Sequence, residues 1–171
     1  MPEFLREKTW QNDIITNTCW ILGSTSDKTK ELVSLLLHTA KEDGLIQFNN
    51  ITNVSPDEAE MIKYGRNCFL SVKVSYFNEL FSLCENKKIN YEIVRQLIGN
   101  DDRIGESHTK VPGHDGKRGY GGTCFPKDIN SFRVQFLKAG VPCPVLESSI
   151  LRNENIDRLN SWKGDIGRAF I

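Results

Sequence analysis

The sequence predicts a mainly α-helical protein built around one long central helix, preceded by a short strand–helix–strand segment. The strongest helix signal is Ser-Pro-Asp-Glu at residues 55–58, which supplies an N-cap, a proline at the first helical position and a capping-box acid. No proline follows until residue 112, and apolar side chains recur at helical spacing to about Glu85. The predicted helix is therefore about 28 residues, or about 40 Å, long.

The first fifty residues predict the tail of an α/β unit. Residues 19–24 are typical of a short buried strand, residues 27–40 of an amphipathic helix, and residues 45–48 of a second strand. Without further strands such a unit exposes a sheet edge, and an exposed edge invites pairing with another chain.

Shorter helices are predicted after the long one. Asn90 is placed to cap a helix over residues 91–98, and residues 100–122 are polar and glycine-rich, which favours a loop. Two further helices are predicted over residues 126–139 and 144–160.

Composition narrows the class of protein. The 171 residues carry 22 Lys and Arg against 22 Asp and Glu, so no net charge favours a nucleic acid or an anionic membrane. The sequence contains no apolar stretch long enough to span a bilayer and no basic-then-apolar leader. Its five cysteines form no Cys-x-x-Cys pair, which favours reduced thiols and a cytoplasmic location.

The most informative motif is Gly-Tyr-Gly-Gly-Thr-Cys-Phe-Pro-Lys-Asp at residues 119–128. Glycines let a backbone pass close to a ligand, and Pro126 suits the first turn of a helix. A thiol beside a helix N-terminus and a lysine is biased toward the reactive thiolate. The pattern favours Cys124 as a nucleophile, and the alternative is a glycine-rich turn around a buried structural cysteine.

This motif resembles the cysteine segment of the nucleotide-sugar dehydrogenases, and two other stretches agree with that family. Pro-Glu-Phe-Leu-Arg-Glu at residues 2–7 resembles its substrate-contacting turn, and residues 58–70 resemble the start of its long central helix. The resemblance implies that residues 53–171 form a central dimerisation and catalytic domain. Residues 1–52 are then the remnant of the C-terminal part of a Rossmann-like NAD-binding domain.

The resemblance also implies catalytic roles. Cys124 attacks an aldehyde made by a first hydride transfer to NAD, the adduct is oxidised again to a thioester, and water releases the uronic acid. Lys63 and Asn67 donate hydrogen bonds to the oxygen at the reacting carbon. Glu3 activates the water, and Asp128 takes part in proton handling.

Substrate contacts and assembly follow from the same resemblance. Nucleotide-sugar contacts are implied for Phe4, Leu5, Glu7, Arg103, Tyr120, Gly121 and Lys127, with the arginine reaching the sugar of the adjacent subunit. The helix over residues 55–85 is longer than one small domain needs, so we expect a homodimer built on it. The histidines lack a metal-ligand spacing, so no metal site is predicted.

The cofactor of the family has no recognisable site here. The sequence contains no Gly-x-Gly-x-x-Gly, the turn that seats a dinucleotide, so we expect the chain alone not to bind NAD. The leading hypothesis is a truncated dehydrogenase that carries the catalytic residues for oxidation of UDP-glucose to UDP-glucuronate but is inactive alone. The sequence leaves open whether a separate chain supplies the Rossmann half. The alternatives are a non-catalytic dimerisation or partner-binding module, and a fragment similar to the GDP-mannose-oxidising members.

Overall fold

The computed structural model describes residues 1–2, 4–5 and 9–159, and it confirms the predicted fold class. Helices dominate, and the described strands form one parallel pair. The chain divides into two compact units, Met1–Gly65 and Arg66–Ile171, and the division falls inside the long helix. The predicted domain boundary between residues 52 and 53 stays a prediction.

The first unit contains a strand–helix–strand arrangement preceded by a short helix that the sequence did not predict. Its elements are α1 (Trp10–Ile15), β1 (Trp20–Gly23), α2 (Asp27–Glu42) and β2 (Ile51–Val54). The strands pair in parallel, with Trp20 opposite Ile51 and Gly23 opposite Val54. This is the crossover expected when a helix connects two neighbouring parallel strands.

The second strand lies later in the chain than predicted. Residues 45–48 are not a strand, because two of their backbone groups are bound elsewhere: the Gln47 N–H donates to the Ile15 carbonyl (2.8 Å), and the Phe48 carbonyl accepts from the Trp20 indole N–H (2.8 Å). The run Ile-Thr-Asn-Val at residues 51–54 takes the place beside β1. β-Branched side chains favour that extended conformation.

The helix α2 is held by local signals but leaves part of its apolar surface open. The Ser26 hydroxyl caps its first turn by accepting from the Thr29 N–H, and Gly44 follows its end with φ +71°. Leu37 is buried, whereas three other leucines are more than half exposed: Leu32, Leu35 and Leu36. The first unit therefore has an uncovered apolar face.

The long helix α3 (Pro56–Lys87) is slightly longer than predicted. Its start is a reciprocal capping box, in which the Glu58 carboxylate accepts from the Ser55 N–H (2.7 Å) and the Ser55 hydroxyl accepts from the Glu58 N–H (3.2 Å). After Lys87 the chain turns through Lys88, which has a left-handed φ of +55°. The same capping residues that predict the helix from sequence thus form its first turn.

The remaining helices are α4 (Tyr91–Gly99), α5 (Phe125–Lys138) and α6 (Pro144–Arg152). The predicted single helix over residues 144–160 is wrong at its end, because α6 passes into a π-helix over Asn153–Asp157. Side chains of this π-helix make tertiary contacts with the loop before α5.

Two apolar clusters form the core of the second unit. The first contains Cys68, Tyr120, Ile129 and Ile150, and it joins α3, the loop before α5, α5 and α6. The second contains Phe77, Cys84, Tyr91 and Val111, and it packs α4 and the following loop on α3. The first cluster therefore positions the cysteine motif against α3. In the described part of the chain, no helix combines the length and apolar character needed to cross a membrane.

Candidate active site around Cys124

Cys124 lies at the surface, immediately before the first residue of α5. Two glycines of the preceding loop, Gly119 and Gly122, have left-handed φ angles of +67° and +75°, which glycine adopts without steric cost. The Cys124 carbonyl accepts the Asp128 N–H (2.8 Å) and so begins the helix. The loop presents an exposed thiol, which excludes the alternative of a buried structural cysteine.

Asp128 is the most buried charged side chain beside this cysteine, with only 1% of its surface exposed. One carboxylate oxygen accepts the Asn67 amide N–H at 2.6 Å, and the other pairs with the Lys127 ammonium at 2.5 Å. A buried carboxylate is stable only when it is paired and hydrogen-bonded. These contacts tie α5 to α3 one helical turn from the exposed thiol.

A second thiol lies near the same carboxylate but in a different environment. Cys68 belongs to the buried cluster, and its pKa is raised to about 12, first by burial and then by the negative charge of Asp128. A thiol that stays protonated is a poor nucleophile. The sequence did not single out Cys68, because nothing in its neighbours distinguishes a buried cysteine from an exposed one.

The predicted substrate-binding residues of the second unit differ in how exposed they are. Arg103 is largely exposed and forms a two-pronged contact with Asp101, whose pKa this arginine lowers. Tyr120 is only 4% exposed, and burial raises the pKa of its hydroxyl. Its ring therefore offers little surface to a ligand, whereas the neighbouring Gly121 is half-buried.

The residues named near the start of the chain belong to the first unit. Phe4, Leu5 and Lys63 are each half-buried, with the lysine on the first part of α3. Glu3 and Glu7 lie outside the described residues. Their roles stay predictions.

The described residues contain no metal cluster, and the expectation that the chain alone does not bind NAD stays a prediction. No group of three or more His, Cys, Asp or Glu side chains among them could hold a metal ion. The turn after β1 leads into α2, where the Ser26 hydroxyl accepts from the Thr29 N–H (3.3 Å) and the Asp27 carboxylate accepts from the Lys30 ammonium (2.8 Å).

Comparison with known proteins places these features in a family. Residues 57–155 match the central domain of the UDP-glucose/GDP-mannose dehydrogenase family, a stretch that covers more than half of the chain and contains Asn67, Cys124 and Asp128. The chain belongs to this family. It spans about a third of the length of the relatives it matches.

Individual relatives agree with that assignment. UDP-glucose 6-dehydrogenase TuaD of Bacillus subtilis is 33% identical over 170 residues, which cover 96% of this chain and 34% of TuaD. UDP-glucose 6-dehydrogenase AglM of Haloferax volcanii is 35% identical over 157 residues, or 90% of this chain and 34% of AglM. A solved UDP-glucose dehydrogenase from Pyrobaculum islandicum superposes with a TM-score of 0.75 at 29% identity, over 90% of this chain and 33% of that one.

Proposed function

We propose that the chain is the cysteine-bearing central part of a nucleotide-sugar dehydrogenase and supplies the nucleophile for oxidation of UDP-glucose to UDP-glucuronate. One observation carries the proposal: an exposed thiol at the start of α5 lies one turn from a buried carboxylate that is held by an amide of α3. Several relatives are named UDP-glucose 6-dehydrogenases, which favours UDP-glucose over GDP-mannose as the substrate.

In the proposed chemistry, the Cys124 sulfur adds to the carbonyl carbon of a sugar aldehyde. The C–O π electrons move to the oxygen, which takes up a proton to give a thiohemiacetal, so the reactive aldehyde stays bound to the protein. The Asn67 amide has two N–H groups, so it can donate one to Asp128 and the other to this oxygen. The roles that the resemblance implies for two further residues are part of the proposal. Lys63 donates a hydrogen bond to the same oxygen, and Glu3 activates the water for hydrolysis.

The proposed substrate contacts are those of the sequence prediction, at Phe4, Leu5, Glu7, Arg103, Tyr120, Gly121 and Lys127. Burial of the Tyr120 ring leaves its neighbour Gly121, rather than the tyrosine itself, to approach the ligand.

Selective alkylation tests the nucleophile. Brief iodoacetamide treatment near neutral pH, followed by peptide mass spectrometry, should label Cys124 faster than Cys19, the other exposed thiol, because the loop presents the former for attack. The buried cysteines should label last, and Cys124→Ser should remove the fast phase alone. Equal labelling of the two exposed thiols would contradict the proposal.

No residue of this chain is proposed to hold NAD. We expect the 171-residue chain alone to produce no NADH from UDP-glucose and to bind NAD too weakly for calorimetry. A separately expressed Rossmann half is the proposed partner, docking at an edge of the sheet formed by β1 and β2. Turnover by the isolated chain would refute this dependence.

The same proposal includes a homodimer through α3. Phe69, Tyr76 and Leu83 are spaced seven residues apart, and each is more than half exposed, so they form one apolar stripe along the helix. We expect sedimentation at low micromolar concentration to show a dimer, and Tyr76→Glu to dissociate it. Leu137→Glu, an equally exposed position on α5, is the matched control, and a monomeric wild type would exclude the interface.

A further inference from the structure

A short segment before the cysteine loop is held by side chains rather than by secondary structure. Residues 118–120 belong to no helix or strand, yet Gly119 and Tyr120 are buried. Their N–H groups donate to Asn78 Oδ1 (3.1 Å) and Asn153 Oδ1 (2.8 Å), respectively. Asn153 Nδ2 also donates back to the Tyr120 carbonyl (3.1 Å), so this carboxamide pairs with both polar groups of one residue.

Both asparagines are almost completely buried, with exposures of 1% for Asn78 and 2% for Asn153. A carboxamide carries an acceptor and a donor at the same end. Asn153 can therefore bind both the N–H and the carbonyl of Tyr120, as a residue of a neighbouring strand would. Arg158 completes the set by donating from Nε to the Arg118 carbonyl (3.0 Å). The three carbonyls of residues 118–120 and the N–H groups of Gly119 and Tyr120 therefore have hydrogen-bond partners, in a buried place where unpaired groups are costly.

The π-helix explains how Asn153 reaches the segment. Its hydrogen bond from the Arg158 N–H to the Asn153 carbonyl (2.8 Å) spans five residues, and it brings the side chains of Asn153 and Asp157 to the same place. A Cβ atom on Gly119 would lie 2.3 Å from Asn153 Oδ1 and 3.0 Å from Asp157 Cβ. The buried Asp157 carboxylate is held in turn by the Arg152 guanidinium (2.8 Å).

The segment ends four residues before Cys124, and the other side of the cysteine is fixed as well. There, the first turn of α5 begins at the Cys124 carbonyl, and the buried Asp128 ties that turn to α3. Residues 121–123 therefore connect two fixed points. We propose that Asn78 and Asn153 are positioning residues. They anchor the N-terminal side of the loop that leads to Cys124 and so determine the position of the thiol.

The functional part of this inference rests on the proposed nucleophilic role of Cys124, so the anchoring itself is measured first, on the wild-type chain. Residue-resolved hydrogen exchange should show the Gly119 and Tyr120 amides exchanging at least about tenfold more slowly than the Gly122 amide, because both are buried and bonded to asparagine side chains. Exchange as fast as that of Gly122 overturns the proposal, whatever Cys124 does.

Variants then separate anchoring from general stability. Asn78→Ala should release the Gly119 amide, whereas Asn78→Asp keeps the acceptor, and the nearby Arg118 guanidinium supplies a countercharge. Aspartate should therefore retain the protection that alanine loses, although both changes disturb a buried site. Equal loss in the two variants would mean that Asn78 contributes only packing, and it would overturn its positioning role.

Asn153→Ala should release the Tyr120 amide and lower the alkylation rate of Cys124 relative to Cys19. Tyr91→Phe is the matched control, because it removes buried hydrogen bonds to the Phe77 carbonyl (3.2 Å) and the Thr109 carbonyl (2.5 Å), neither of which belongs to residues 118–124. It should lower thermal stability and leave the alkylation ratio unchanged. If the control changes that ratio as much, positioning is excluded.

Failure of the two proposals can be told apart. Slow exchange at Gly119 and Tyr120, with a Cys124 that alkylates no faster than Cys19, supports the anchor and overturns the nucleophile. Fast exchange beside a rapidly alkylated Cys124 overturns the anchor and supports the nucleophile.

Discussion

Replacing Cys68 with alanine should change how the stability of the chain depends on pH. Burial and the charge of Asp128 raise the pKa of this thiol from 9.0 to about 12 in the folded chain. The unfolded chain releases the proton above pH 9.0, while the folded chain keeps it. The stability contributed by the neutral thiol is thus complete below pH 9.0 and is lost as the pH rises toward 12.

The loss is about 1.4 kcal/mol for each pH unit in that window, or about 2 kcal/mol by about pH 10.5. Alanine at this position carries no proton and escapes the loss. At neutral pH, however, the variant lacks the sulfur of a core side chain, so its free energy of unfolding should be about 1–2 kcal/mol lower than that of the wild type. The free energies of unfolding of the wild type and Cys68→Ala should therefore become similar, or change order, at alkaline pH.

Urea unfolding followed by circular dichroism, at neutral pH and at about pH 10.5, measures both differences. Cys19→Ala is the matched control, because its exposed side chain changes surroundings least on unfolding. The reasoning is refuted if wild type and Cys68→Ala lose stability in parallel between the two pH values.

Two other substitutions test the geometry around the loop. Gly119→Ala should lower the free energy of unfolding by more than about 2 kcal/mol, because it combines a left-handed φ of +67° with a clash on a buried amide oxygen. Gly122 has a φ of +75° but open space around it, so Gly122→Ala should lower the free energy of unfolding by only about 1 kcal/mol. Equal destabilisation of the two glycine variants in thermal melts would contradict the clash at Gly119. Asn67→Leu removes the donor to Asp128 Oδ2 and should cost about 2 kcal/mol at neutral pH, so an unchanged melting curve would argue against that hydrogen bond.

The elements that the sequence predicted well are those with strong local signals. The start of α3 followed from four adjacent residues that cap one another, and its length followed from an uninterrupted helical stripe. The second strand was misplaced because residues 45–48 and 51–54 are both apolar and β-branched or aromatic in part. Only the register against β1 decides between them.

The end of α6 was also mispredicted from local sequence signals. Residues 144–160 have the composition of one helix, but contacts of Asp157 with Arg118 in the loop before α5 and with Arg152 at the end of α6 accompany a π-turn at Asn153. One of these partners, Arg118, lies in the loop before α5, so the residues of α6 alone do not specify this contact.

In the candidate site, too, local sequence signals determined some features and tertiary contacts determined the others. The motif of residues 119–128 and a cysteine at the start of a helix were determined by the sequence itself, since glycine, proline and helix-start rules act within a few residues. The structure decided that the Cys124 thiol is exposed. Only the tertiary structure decided that Asn67 pairs with Asp128, 61 positions later, and that Asn78 and Asn153 hold the loop backbone. Asparagine has no periodic signature, and its role depends on which buried backbone groups the folded chain brings within hydrogen-bonding distance.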